Sequence, residues 1–307
     1  MNDSRLVPDA VVSRRTALIL GAAGLLAACG SDSKKSAEPQ ATAGTGVPDL
    51  GALAASSLNL VQRFSTSPLF VPGEVRLAMS LASTDGMVQN LPGTLAGEVV
   101  DDRGARVGQF RVPVRREGLP VPYFAPRVTI AKPGTYTMRV DVGGKVEAAF
   151  QVFDPKDVVV PYLGATLAGF DTPTADNHRG VEPYCTLEPA PCPFHSMTLT
   201  QAIASGKPVL YMIGTPAHCS TGACTPGLQF LVAAAKSGGL ASSFAVVHAE
   251  VYTDNLASTV APAVTALKLD YEPVVYATKP GGVIVDRLDA VWDATELGEV
   301  LARVGAS

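Results

Sequence analysis

The spacing of apolar and polar residues changes along the chain, and its first part shows short alternating runs. Residues 73–81 alternate in this way, as do residues 97–100 and 105–112. A period of two is typical of strands with one buried face, and Gly- and Pro-containing turns such as residues 132–134 separate the runs. We therefore predict an all-β sandwich over residues 47–154.

A second pattern begins near residue 196, where apolar runs alternate with helical periods. Residues 209–213 are all apolar, which is typical of a strand whose sheet is covered on both faces. We predict helices at 198–204, 226–236, 259–267 and 295–304, and strands at 209–213, 244–251, 273–277 and 283–288. This alternating order predicts an α/β domain over residues 196–307.

The connector between these regions, residues 155–195, contains seven prolines and shows no period. Cys185 and Cys192 lie in it, and a disulfide between them would stabilise the fold by about a few kcal/mol, mainly by restricting the unfolded chain. We predict a structural Cys185–Cys192 disulfide. Setting aside Cys29, which directly follows the export leader described below, leaves four cysteines that permit three pairings, so a cross-pairing with Cys219 and Cys224 stays open.

The first 28 residues have the features of an export leader. Arg14 and Arg15 precede an apolar run at 17–28, which is shorter than the roughly 20 residues of a membrane span. The arginine pair resembles a twin-arginine signal, and residues 26–29 resemble a bacterial lipobox, which implies lipidation of Cys29. An ordinary cleaved leader that leaves Cys29 free is the alternative.

The segment after the leader, residues 29–46, is small and polar, and we predict that it is a disordered tether. We expect the protein to be lipid-anchored at the extracytoplasmic face of the cell membrane. Removal of the leader leaves 21 basic and 26 acidic residues without a basic block. This charge balance argues against a nucleic-acid partner.

The candidate chemistry lies in a second cysteine pair. Cys219 and Cys224 follow the apolar run 209–213 and precede the helix predicted at 226–236. The free amides and the dipole of a helix N-terminus stabilise a thiolate, which is the form that attacks disulfides or binds soft metals. The pair therefore predicts a thiol redox or metal-handling protein.

Two resemblances extend this interpretation. Residues 130–140 resemble immunoglobulin-like modules, which implies a spacer or binding platform. The order of elements over 199–304 resembles the thioredoxin fold, with Glu272-Pro273 at the position of that family's cis-proline and 224–226 matching the second half of its thiol motif. The family's pair has two intervening residues, whereas this pair has four.

The thioredoxin resemblance implies a role for each residue of the site. Cys219 would attack a disulfide, Cys224 would resolve the mixed disulfide, and Pro273 would shape the groove for an exported protein substrate or redox partner. No cofactor beyond this redox disulfide is expected. His218, beside Cys219, and His248, in the neighbouring strand, are auxiliary candidates.

Three other functions stay open. A binding or scaffold lipoprotein would use a Cys219–Cys224 disulfide for stability alone. A copper-handling protein resembling the Sco type would bind the metal through Cys219, Cys224 and His248, since thiolates and imidazole favour soft metals. Residues 221–224 also loosely resemble the thiol motif of peroxiredoxins.

Overall fold

The computed structural model describes Gly51, residues 54–237 and residues 240–305 of the 307-residue chain. The predicted leader and the whole of the predicted tether, 29–46, with its lipid attachment at Cys29, lie outside these residues. Within the described ranges, no helix combines the length and the hydropathy that a membrane span requires.

Strands make up the first half of the described chain, as the alternating pattern predicts. They are β1 (Asn59–Gln62), β2 (Gly73–Arg76), β3 (Met79–Ser83), β4 (Gly86–Met87), β5 (Thr94–Val100), β6 (Arg106–Pro113), β7 (Arg127–Ile130), β8 (Gly134–Asp141) and β9 (Lys145–Val152). β6, β5, β8 and β9 form an antiparallel sheet in that order, β1, β3 and β4 form a second, and β2 pairs with β7.

The run 73–81 is divided between two sheets, so its prediction as one strand is wrong. β2 ends at Arg76 and β3 begins at Met79, and the buried Leu77 and Ala78 lie between them. The Leu77 amide donates to the carbonyl of Pro126 at 2.9 Å instead of continuing a regular ladder. Apolar side chains at consecutive positions here are buried on both sides of the chain, which alternation alone does not encode.

The second half alternates helices with strands. Its elements are α1 (Leu199–Ala204), β10 (Val209–Ile213), α2 (Cys224–Ser237), α3 (Leu240–Ser243), β11 (Ala245–Ala249), α4 (Pro262–Leu267), β12 (Val274–Thr278), β13 (Ile284–Asp289) and α5 (Ala294–Gly305). The four strands form one sheet in the order β11-β10-β12-β13. In this sheet β10 and β11 are parallel, and the other neighbouring strands are antiparallel.

Burial explains the central position of β10. Every residue of β10, β11 and β12 is buried, as expected for a sheet covered by helices on its faces.

α1 begins with a capping box, in which the Thr198 hydroxyl accepts from the Gln201 amide at 3.1 Å and the Gln201 side chain accepts from the Thr198 amide at 2.8 Å. These contacts satisfy two amides at the helix start.

The two halves pack into one compact unit, to which all described residues belong. Arg76 of β2 reaches Glu296 of α5 through two hydrogen bonds of 2.7 Å, and both side chains are buried. The Tyr123 hydroxyl donates to the same carboxylate. Burial alone would lower the pKa of Arg76, but the Glu296 carboxylate raises it above its ordinary value.

Candidate functional site

Cys219 and Cys224 lie in the turn that joins β10 to α2. Cys224 is the first residue of α2 and is fully buried, whereas Cys219 is partly exposed in the loop before it. The Cys224 amide donates to the Cys219 sulfur at 3.3 Å, and both residues are free thiols. The turn therefore directs helix N-terminal amides at the exposed sulfur, as a stabilised thiolate requires.

The environment separates the two thiols chemically. The hydrogen bond from the Cys224 thiol outweighs the effect of burial and, with the Thr221 hydroxyl 3.3 Å away and the amides of Cys224 and Ala223, lowers the pKa of Cys219 to about 5. Burial, and then the neighbouring Cys219 sulfur, raises the pKa of Cys224 well above its ordinary range. At neutral pH the pair holds an accessible thiolate beside a buried, protonated thiol.

Pro273 lies near the buried thiol of this pair. It follows Glu272 through a cis peptide bond, and β12 begins at the next residue. A Cβ placed on Gly214 would lie 3.2 Å from the Pro273 Cβ and 3.5 Å from the Cys224 sulfur. The absence of a side chain at Gly214 thus allows β10, the proline and the buried thiol to come close together.

Glu272 is a further titratable group of the site, which sequence reasoning did not select. Its carboxyl oxygen and the sulfurs of Cys219 and Cys224 all lie within 4.8 Å of one another. Burial, followed by the negative charges of Cys219 and Glu250, raises the pKa of Glu272 to about 7. A carboxyl group with this pKa can accept and return a thiol proton near neutral pH.

The β-rich half also contributes to the surroundings of Cys219, although residues 47–154 contain no His and no Cys. The partly buried Arg63 guanidinium interacts electrostatically with Cys219, although burial lowers the pKa of Arg63 overall. Pro120 lies 3.5 Å from the Cβ position of Gly222, and Tyr123 packs in one cluster with Ala223. The wall of the thiol loop is therefore built from both halves of the chain.

The structure places His248 with the other cysteine pair. Its Nδ1 atom lies 3.8 Å from the Cys185 sulfur and 3.6 Å from the Cys192 sulfur, and its Nε2 atom lies 3.0 Å from the Gly214 carbonyl oxygen. Both ring nitrogens are thus engaged away from the Cys219 sulfur. The carboxyl of Glu272, not His248, completes the cluster around Cys219, so the copper-ligand set predicted from sequence is not brought together.

Cys185 and Cys192 are both buried and both free thiols, so the disulfide predicted between them is not formed in the structure. The Cys192 amide donates to the Cys185 sulfur at 3.3 Å, and the two imidazoles of His195 and His248 occupy the space around the sulfurs. The hydrogen bond from the Cys192 thiol lowers the pKa of Cys185, and His195 and His248 act in the same direction.

His218, next to Cys219 in sequence, is the other auxiliary candidate. Its ring packs edge-on against Tyr252, with the ring centroids 5.9 Å apart, and its Nε2 atom is buried without a hydrogen-bond partner among the described residues. The thiolate of Cys219 is stabilised by the Cys224 thiol, Thr221 and helix amides instead.

The chain matches no known protein-family model and no curated protein. Among solved structures, Salmonella alpha-2-macroglobulin reacted with methylamine is similar at 22% identity and a TM-score of 0.26, over 39% of this chain and 8% of that chain.

A conjugative transposon lipoprotein from Bacteroides eggerthii is similar at 13% identity and a TM-score of 0.20, over 32% of this chain and 98% of that one. The N-terminal Ig1-2 module of the Drosophila receptor protein tyrosine phosphatase DLAR is similar at 11% identity and a TM-score of 0.20, over 36% and 56%. The similar structures thus include immunoglobulin-like domains and a lipoprotein. At these TM-scores, function has to be argued from the residues of this chain.

Proposed function

We propose that this chain is a thiol–disulfide oxidoreductase in which Cys219 attacks and Cys224 resolves. The observation that carries the proposal is the asymmetry of the pair. Cys219 is accessible with a pKa lowered to about 5, while Cys224 is buried with a raised pKa. Exchange needs an attacking thiolate and a second thiol that is held back until a mixed disulfide forms.

The fold of the second half supports the proposal. We propose a thioredoxin-like fold for it because its thiol loop joins a central strand to a helix N-terminus, and because Pro273 approaches Cys224 from the start of β12. For the β-rich half we propose an immunoglobulin-like sandwich that also supports the thiol loop. The leader favours a location at the extracytoplasmic face of the cell membrane, where exported proteins would be its substrates.

The exchange proceeds in two displacements. The Cys219 thiolate attacks one sulfur of a substrate disulfide, so that a Cys219–substrate bond forms, the substrate bond breaks, and the leaving thiolate takes a proton. Cys224 then passes its proton to the Glu272 carboxylate and attacks the Cys219 sulfur. The Cys219–substrate bond breaks, the second substrate sulfur leaves as a thiolate and takes the proton from Glu272, and the protein retains a Cys219–Cys224 disulfide. The substrate is thereby reduced by two electrons to a dithiol. A dithiol partner reverses these steps to reduce it.

The test is disulfide exchange by the full-length protein with a disulfide-containing polypeptide such as insulin. Cys219→Ser is expected to abolish turnover, and Cys224→Ser is expected to stop turnover but accumulate a mixed disulfide through Cys219. Ser220→Ala, in the same loop, serves as the matched control and should keep its rate. Equal trapping by both single variants, or no effect of either, would contradict the assigned roles.

The reduction potential provides a second test. A potential of about −120 to −270 mV for the Cys219–Cys224 pair is expected of an exchange protein. A value below about −300 mV would indicate a structural disulfide and favour the scaffold function.

A further inference from the structure

The connector and the sheet together assemble a four-residue cluster away from Cys219. Cys185, Cys192 and His195 lie in the connector, and His248 lies in β11, opposite Met212 of β10. All four side chains are buried, with His248 fully enclosed. One sulfur or nitrogen atom from each residue lies within 4.8 Å of every other.

Three of the six distances between the ligand atoms match a tetrahedron around one metal ion, and all six lie within 4.8 Å. A zinc ion with ordinary bond lengths sets edges of about 3.6 Å between sulfur and nitrogen and about 3.3 Å between two nitrogens. The His248 Nδ1 atom lies 3.8 Å and 3.6 Å from the two sulfurs and 3.2 Å from the His195 Nε2 atom. Three measured edges thus agree with a single central ion.

The surroundings hold these groups in the form that a metal needs. The His248 Nε2 atom lies 3.0 Å from the Gly214 carbonyl oxygen, which can only accept, so Nε2 carries the hydrogen and the Nδ1 lone pair faces the sulfurs. The Glu250 carboxylate accepts from the Thr186 amide at 2.6 Å and from its hydroxyl at 2.9 Å. This pair of bonds fixes the backbone next to Cys185 against β11.

The charges favour a doubly positive ion. Two thiolates and two neutral imidazoles around Zn²⁺ form a complex without net charge, which can be buried without an unpaired ion. Binding releases one proton from each thiol and changes no oxidation state. Because the four ligands come from one group of buried side chains and leave no position open to solvent, the chemistry is structural.

We propose that Cys185, Cys192, His195 and His248 bind one zinc ion that fastens the connector to β11. The site is separate from Cys219 and Cys224, and it does not depend on the exchange function proposed for them. It replaces the predicted Cys185–Cys192 disulfide as the element that orders the connector.

The test is the metal content of the full-length protein, expressed without an affinity tag that binds metals and purified anaerobically without chelators. We expect one zinc per chain. Replacement by Co²⁺ should give the visible bands of a tetrahedral ion and thiolate-to-cobalt charge transfer in the near ultraviolet. Cys219→Ser/Cys224→Ser is the matched control, because it removes the other thiol pair and should keep the zinc and the cobalt spectrum.

Variants of the ligands separate binding from folding. Cys192→Ser should lose the zinc and weaken the charge-transfer band, and His195→Ala should also lose it. His195→Asp keeps a zinc-binding oxygen and should retain the metal with a shifted cobalt spectrum. In the wild-type protein, alkylation of Cys185 and Cys192 should be slow until a chelator is added, which tests the site without any substitution.

Two results would overturn the proposal. One is a wild-type protein that lacks zinc and yields a Cys185–Cys192 disulfide by non-reducing mass spectrometry after anaerobic purification. The other is zinc that is lost from the Cys219→Ser/Cys224→Ser protein but kept by Cys192→Ser.

Discussion

His248 and Gly214 connect the two thiol pairs of this protein. The His248 Nε2 atom, 3.0 Å from the Gly214 carbonyl oxygen, orients an imidazole whose other nitrogen faces Cys185 and Cys192. The Cβ position of the same glycine lies 3.5 Å from the Cys224 sulfur. The residue directly after β10 therefore lies beside both clusters.

A side chain at Gly214 should disturb the redox pair. In Gly214→Ala the new methyl group would lie 3.2 Å from the Pro273 Cβ and 3.0 Å from the flexible end of Met212. We expect a loss of about 1–3 kcal/mol in the free energy of unfolding, together with slower exchange at Cys219. Denaturant titration and insulin reduction measure the two effects.

Gly298→Ala is the matched control for this substitution. Gly298 is an exposed position within α5, and an added Cβ would meet nothing within 4 Å. Because alanine favours a helix over glycine, this variant should be more stable by about 0.5–1 kcal/mol and exchange at the wild-type rate. Equal effects of both substitutions would argue against close packing at Gly214.

The rate of Cys219 alkylation should depend on pH with a midpoint well below the pKa of an ordinary thiol. The thiolate form predominates above a pKa of about 5, so the rate should rise through that pH and level off before neutrality. Cys224→Ala removes the thiol hydrogen bond that contributes most to this lowering, and its profile should shift upward. Iodoacetamide kinetics with peptide mapping measures the profile, and an unchanged midpoint in Cys224→Ala would contradict the assigned cause.

Glu272→Gln should raise the stability of the protein at alkaline pH and lower the rate at which mixed disulfides are resolved. The pKa of Glu272 is raised from 4.5 to about 7 in the native protein. As pH rises, the unfolded chain therefore loses this proton at a lower pH than the native protein does. The native protein loses stability as pH rises between those two values. The amide removes that loss, and at pH 8 the variant should be more stable by on the order of 1 kcal/mol, allowing for partial exposure.

The same variant should resolve mixed disulfides more slowly at neutral pH, because Cys224 loses its proton acceptor. Single-turnover exchange from pH 5 to 9 separates the two effects. An unaltered pH profile of the resolution step would assign Glu272 a purely structural position.

The ion pair between Arg76 and Glu296 should give a large coupling energy in a double-mutant cycle. Arg76→Met leaves the Glu296 carboxylate buried without its partner and should lower the free energy of unfolding by about 3–5 kcal/mol. Glu296→Gln should have a similar cost, whereas the double variant should cost less than the sum of both. Urea denaturation at pH 7 provides the four values, and additive losses would contradict a direct coupling.

The spacing of apolar and polar residues predicted the elements whose limits are set by their own sequence. The predicted limits 209–213 agree with β10, because an apolar run defines this strand without distant contacts. The cluster of Cys185 and His248 joins residues 63 positions apart, and no periodicity connects them. Glu272 and Arg63 were missed for the same reason, since their relation to Cys219 arises only when distant segments pack.

The contact of Arg76 and Tyr123 with Glu296 has a consequence for how this chain can be divided. If the β-rich half were deleted, Glu296 would lose the cation and the hydroxyl that bind its carboxylate, and the apolar surface around Ala223 and Val291 would be exposed. Such a fragment should be poorly soluble even though it contains both thiol pairs. The thiol-bearing half is therefore not a self-contained domain. A protein engineered to carry its thiol chemistry has to include the strands that cover it.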